Sequence, residues 1–290
     1  MTELRQDFRE RVGEVEAFIH LVAGIENSVQ NGIPLVGRRS GKPAVVEPLQ
    51  QKLLYAGVYL HLYNLVEATV SRCIAAVESA ASVAGKWRAG DLSGELRSEW
   101  VKSVARTHET LNTENRLQAA IEMCEHVIAM LPVDVRIVQG GGGNWDDDEI
   151  YRFARRLGVH IILKKATYSS IKRPFRDDKG PIGTIKSLRN KLAHGEMSFS
   201  ECGEGLSADR LEELKELTVS YLWEVIECFE GFIERHDCSL RSDLLQVVDD
   251  TSSDCPPQLD RYCIPYVFTQ VPVDDPTTGR YESIITGEGL

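Results

Sequence analysis

The sequence predicts an all-α fold: a helical bundle over residues 1–237, followed by an acidic C-terminal appendage of irregular and short β structure over 238–290. Three observations lead there. Apolar residues recur at the three-and-four spacing of a helix along several long segments. Within the bundle, strand-like alternation is confined to one short run, "VDVRIVQ". After residue 237 the composition turns to Pro, Asp, Ser and Thr, with small β-like runs in "YCIPYVFTQVPV" and "YESIIT".

The elements follow in order. Residues 3–30 place Leu4, Phe8, Val12, Val15, Phe18, Ile19 and Val22 on one helical face. "NGIPLVGRRSGKP" then reads as a Gly/Pro/basic loop. A second helix starts near Pro48 and runs past Val77, lined by Leu53, Leu54, Val58, Leu62, Leu65, Val66, Thr69, Val70 and Ile74. Its length marks it as a bundle spine. "GELRSEWVKSVA" and "TENRLQAAIEMCEHVIAML" give two more helices, the second ending before Pro132. In "VDVRIVQ" the alternation of Val133, Val135 and Ile137 predicts an extended segment.

"GGGGNWDDDEIYRFARRLGV" is a loop and then a helix, capped by Asn144 or an early Asp, with its acids at the positive helix end. Four glycines can suggest a phosphate loop. No Lys-Ser/Thr follows them, and three aspartates would repel phosphate, so the loop reads as structural. "GTIKSLRNKLAHG" is a helix with Thr184 as its expected cap and Gly195 as its left-handed stop. The last long helix is "LSADRLEELKELTVSYLWEVIECFEGFIERH", capped by Ser207, with Leu206 and Leu211 at the spacing of a hydrophobic staple.

Composition narrows the function. The chain has 290 residues, 42% hydrophobic and 27% charged, as in ordinary globular proteins. No stretch is apolar enough to span a membrane, and the charged N-terminus is neither a signal nor a transit peptide, so a cytoplasmic protein is expected. Seven cysteines, none in a C-x-x-C pair, read as buried reduced thiols, and no metal site is expected. A net charge of −11 argues against nonspecific nucleic-acid binding by the whole molecule. The average conceals a polarity. Residues 152–191 hold twelve Lys/Arg and only Asp177 and Asp178 as acids, whereas residues 201–290 hold twenty acids and six bases.

The basic block runs into "SLRNKLAHGEMSF", residues 187–199. Arg189 and His194 are five residues apart, about 140° around an ideal helix, so they converge only if the helix ends beside them. A histidine free to move a proton beside a fixed cation suits phosphodiester cleavage. The imidazole takes a proton from a ribose 2′-OH, and the guanidinium binds the phosphate and its developing charge. Spacing alone leaves open a solvated arginine and a capping histidine.

"LRNKLAHG" followed by "SF" closely resembles the signature of the HEPN superfamily, in particular the prokaryotic subgroup called MAE-type HEPN nucleases, R-N-x-L-A-H-G-x-x-S-F. "LYNLVEATV" (62–70), "GGNWDDDEIYRFARRLGV" (142–159) and "LEELKELTVSYL" resemble further parts of that subgroup, so the similarity covers most of 45–237. The resemblance implies a HEPN-type bundle, a homodimer with two Arg–His motifs around one RNA cleft, and metal-independent endoribonuclease activity without cofactors. It also implies a toxin or antiphage-defence setting, with an antitoxin or defence-system protein as partner. By this resemblance Arg189 and His194 form the catalytic pair, and Asn190 is the polar residue that orients the histidine or phosphate. Asn64 and Glu67 are candidates to support the motif from behind, and Ser198 and Phe199 to fix the turn after it. Lys164, Lys165, Lys172, Arg173, Arg176, Lys186 and Lys191 are candidate RNA contacts. Two alternatives stay open: a noncatalytic RNA- or protein-binding HEPN module acting as sensor or scaffold, and a nucleotide-binding regulator.

Overall fold

The structure is a computed structural model that describes residues 2–32, 35–36, 44–82, 87–106, 111–139, 144–235 and 238. It contains α1 (Glu3–Gln30), β1 (Leu35–Val36), β2 (Ala44–Val45), α2 (Pro48–Ala81), α3 (Gly94–Val104) and α4 (Thr113–Ile128). These are followed by α5 (Asp147–Arg156), α6 (Lys165–Lys172), α7 (Pro181–Ala193), α8 (Phe199–Cys202) and α9 (Ala208–Glu234). The expected all-α architecture is present. Among the described residues no helix is long and apolar enough to cross a membrane.

The spine is α2, and α1, α7, α8 and α9 all pack on it. Its buried residues include Tyr55, Ala56, Val58, Tyr59, Leu62, Tyr63, Leu65 and Val66, a wider arc than a one-sided stripe, because neighbours surround it. Leu53, expected to line the helix, is exposed near its N-terminal end. α9 closes the bundle through Leu214, Tyr221, Leu222, Val225, Ile226 and Phe229, and Ser207 accepts the Arg210 N–H as its N-cap. Buried Glu230 of α9 takes the Thr2 hydroxyl and the Arg5 guanidinium, which fastens the start of α1.

Several expectations need correction. Residues 35–36, expected as loop, pair with residues 44–45 just beyond that stretch in a short antiparallel ladder, Leu35 with Val45 and Val36 with Ala44. "VDVRIVQ" buries Val133, Val135 and Ile137 as its alternation predicts, but pairs with no strand among the described residues. The end of α2 and the loop beyond it satisfy its backbone instead: Val133 N–H donates to the Trp87 carbonyl (3.0 Å), Val135 N–H to Ser82 Oγ (2.8 Å) and Ile137 N–H to Glu78 Oε1 (2.5 Å). Helices α6 and α8 were not expected. Cys73, Cys202 and Cys238 are buried thiols, but Cys124 is exposed. Cys238 packs into the core and its carbonyl accepts the Ser93 N–H (2.9 Å). The short β runs expected in the appendage lie outside the described residues.

Helix α8 sits flush on the first turns of α2. A methyl at Gly203 would overlap the backbone carbonyl oxygen of Lys52, and backbone on both sides leaves no flexible atom to yield. Gly203→Ala should therefore cost about 1–3 kcal/mol, as overpacking does, and appear as a lower denaturant midpoint at unchanged slope.

Candidate functional site

The site is built on α7. Pro181 stands at its first position, where a missing N–H costs nothing, and Gly180 is its N-cap. Thr184 is not the cap: it lies a turn inside the helix, buried, with its hydroxyl donating to the carbonyls of Arg176 (3.4 Å) and Lys179 (3.3 Å). Ile182, Ile185, Leu188 and Leu192 bury the inward stripe, and the helix packs on both α2 and α9. Burial at about 1.5–3 kcal/mol per large apolar side chain holds α7 in place. Its other face carries Arg189 and Asn190.

The helix ends as the glycine predicts. Gly195 has φ +72, its N–H donates to the Leu192 carbonyl (3.3 Å), and Glu196 N–H donates to the Lys191 carbonyl (2.9 Å). These two bonds form a Schellman motif with His194 as C-cap. A Cβ on Gly195 would meet open space, so the left-handed φ is what calls for glycine. Ser198 then caps α8 in a capping box with Glu201.

Arg189 is fixed on three sides. Its guanidinium lies 4.4 Å over the Tyr63 ring, Nη1 donates to Asn190 Oδ1 (3.0 Å), and Nη2 is 3.9 Å from Glu67 Oε2. Its side chain stays 32% exposed, which leaves part of the cation open to a ligand. His194 stands exposed at the helix end, and its imidazole has no hydrogen-bond partner among the described residues. The divergence expected from the spacing is present: Arg189 leans onto α2 while His194 faces solvent.

A second element joins the site. Asn190 Nδ2 donates to Asn144 Oδ1 (2.7 Å). The Trp145 backbone hydrogen-bonds the Tyr63 hydroxyl. Burial pushes the Tyr63 phenol above its ordinary pKa, against the opposing effect of Arg189. Trp145 is itself buried, edge-on to Phe153 at 5.2 Å. Asp146 caps α5 through the Glu149 N–H (2.8 Å) and accepts Lys186 Nζ (2.6 Å). Three successive residues after the glycine run are thus fastened to α2 and α7. Asp146, and not Asn144, is the cap.

Burial opposes ionisation of Asp146, but Lys186 and the Glu149 N–H outweigh it and hold the carboxyl below the ordinary range. A depressed folded pKa contributes stability above the unfolded value of about 3.9 and loses it as pH falls through the folded pKa. Acid titration should therefore loosen residues 144–146 below about pH 4, and Asp146→Asn should remove that step in tryptophan emission.

The other expected residues divide. Glu67 reaches Arg189. Asn64 is exposed with no hydrogen bond among the described residues, so it does not support the motif from behind. Several of the expected RNA contacts face acids or carbonyls of their own chain. Lys186 pairs with Asp146, Lys172 with Asp147 and Asp148 (2.6 Å each), and Lys164 approaches Glu224 (3.7 Å). Burial disfavours the Lys172 ammonium, yet the two aspartates hold its pKa above normal. Arg176 Nη1 donates to the Cys202 carbonyl (3.2 Å). Arg173, Lys165 and Lys191 complete the set: Arg173 and Lys165 are exposed and Lys191 is half-buried beside the motif. Tyr63, Asn144 and Trp145 were not foreseen as site residues. The signals for them were their places inside the two stretches that resemble the family, 62–70 and 142–159, a tyrosine at every fourth position, 55, 59 and 63, and an asparagine ending the glycine run.

An all-helical bundle whose R-N-K-L-A-H-G helix end lies against a central spine defines a HEPN-type protein. A family model described as HEPN_MAE_28990-like HEPN matches residues 1–238, and the chain belongs to that family. No curated protein and no solved structure matches it.

Proposed function

We propose that this protein is a metal-independent endoribonuclease that acts as a homodimer in the cytoplasm, in a toxin or antiphage-defence role. The observation that supports the reading best is a held, partly exposed guanidinium at Arg189 beside a helix end where the His194 imidazole is exposed and has no hydrogen-bond partner among the described residues. In the proposed step the His194 imidazole takes the proton of a ribose 2′-OH. The 2′-oxygen attacks the adjacent phosphorus, the P–O5′ bond breaks, and the 5′-oxygen takes a proton from the imidazolium of the second copy. The products are a 2′,3′-cyclic phosphate and a 5′-hydroxyl. Arg189 stabilises the phosphorane charge, and Asn190, oriented by Asn144, keeps the guanidinium aimed. Lys191 and Arg173 contact flanking phosphates, and Lys164, Lys172 and Lys186 exchange their carboxylates for phosphate when RNA binds, with Lys165 beside them at the start of α6. An antitoxin or defence-system protein restrains the activity.

A second reading is a noncatalytic RNA-binding module. It is favoured by the divergence of the motif within one chain, where Arg189 lies over Tyr63 and His194 faces solvent, so that one copy presents no assembled pair to a phosphate. Incubation of purified protein with RNA in EDTA separates the two. Cyclic-phosphate ends that disappear in His194→Ala support the nuclease, and salt-dependent binding without turnover supports the module.

A further inference from the structure

Tyr55, Tyr59, Tyr63 and Tyr221 are buried in the bundle. Tyr151 on α5 and Tyr168 on α6 are the exposed tyrosines among the described residues, at 50% and 56%. A lone exposed ring needs no explanation. These two share a surface, and that surface is joined to the motif. On α6, Lys165, Tyr168 and Lys172 stand three and four residues apart, within about 60° of one flank. On α5, Asp148, Tyr151 and Arg155 repeat that spacing. Both flanks lie away from the buried sides, which are Ile150, Phe153 and Ala154 on α5 and Ile171 on α6. They meet where Lys172 Nζ lies 2.6 Å from both Asp147 Oδ2 and Asp148 Oδ1, so each tyrosine stands one turn from a single ion-pair cluster. One residue earlier, Asp146 takes Lys186 Nζ at 2.6 Å, and Lys186 lies one turn before Arg189 on α7.

We infer that this surface is a stacking platform for unpaired RNA. The strand held at Arg189 runs over Lys186 and Lys172, and Tyr151 and Tyr168 each stack one of its bases. Spaced cations follow the phosphates, and an accessible ring offers its face to a base of any kind. Arg155, whose guanidinium meets no carboxylate among the described residues, supplies a further cation beside Tyr151. In an A-form duplex the bases are stacked on one another and show no free face, so the platform selects single strands and loops. The two rings are separated by charges and not joined into an apolar patch, which favours a polyanion over a protein surface. The inference rests on the RNA-binding part of the proposed function, names the form of RNA taken, and does not depend on turnover.

Fluorescence anisotropy of the full chain with a labelled single-stranded RNA tests it. The probe carries 2′-O-methyl sugars, which lack the attacking hydroxyl and so cannot be cut. Tyr151→Ala and Tyr168→Ala should each raise the dissociation constant about 5- to 100-fold, the loss of one stacked base. Tyr151→Phe and Tyr168→Phe keep the ring and should bind within about twofold of wild type. The slope of affinity against salt should stay unchanged in the tyrosine variants and become shallower in Arg155→Ala. A duplex of the same sequence should bind the alanine variants as it binds the wild type. Both rings are half-exposed, so the thermal midpoint should move little. Unchanged single-strand affinity in either alanine variant overturns the platform and leaves the nuclease reading standing. Equal weakening of duplex and single strand overturns it as well. So does a loss of affinity for polyglutamate in place of RNA, which assigns the surface to an acidic protein segment. A wild-type chain that binds neither form of RNA removes this inference together with the proposed function. The expected losses without cutting of unmodified RNA support the platform and remove only the nuclease.

Discussion

His194→Ala and Arg189→Ala should each lower RNA cleavage by about 10²–10⁴-fold, the range for losing a general base or a charge-stabilising donor. Both side chains are partly or fully exposed, so the thermal midpoint should move little. The two losses differ in kind. Without His194, RNA still meets the guanidinium, and binding should persist while turnover vanishes. Without Arg189, both weaken, and the slope of affinity against salt becomes shallower. Arg189→Lys should not rescue, because an ammonium cannot bind phosphate as a fork while stacking on Tyr63 and bonding Asn190. Asn144→Ala should give a smaller loss, since it touches Asn190 and not the substrate. Cleavage of a defined oligonucleotide, with end-group analysis, measures all four. Full activity in His194→Ala would sink the nuclease reading.

Leu188→Ala should destabilise the protein by about 2–5 kcal/mol, the cost of a cavity in a closed core. Leu188 is 1% exposed on a helix gripped by α2 and α9, and neighbours on two sides limit how far the gap can collapse. For a protein of this size the thermal midpoint should fall by roughly 5–15 °C. Where the variant remains folded, residual cleavage reports how tightly Arg189, the next residue, depends on the seating of α7. A midpoint within a degree of wild type would show that α7 is not held by this stripe.

How much of this was legible in the sequence depends on the range of the interaction. Helix α9 was legible because Ser207, its acids and its apolar stripe all act within a few residues. The stop at Gly195 was legible because a left-handed φ is a local demand. The cap of α7 was not. Thr184 has the right chemistry for an N-cap, but Pro181 and Gly180 start the helix earlier and bury it. The basic block misleads for a related reason. Summed along residues 152–191 it is strongly positive, yet the aspartates that face Lys172 and Lys186 lie just outside that window, at 146–148. Asn64 had the spacing of a support residue, but its neighbour Tyr63 points inward and takes that place under Arg189.

The sequence by itself determined the longer helices, though not α6 and α8, and with them the position of the motif at a helix end and the family, because these rest on periodicity, capping and residue identity. Only the tertiary structure decided which residues surround Arg189 and which charges are paired. Asn144 and Asn190 are 46 positions apart, and Tyr63 is 126 positions from Arg189. Contacts at that separation are set by how packed helices rotate and seat on one another, which no local pattern encodes.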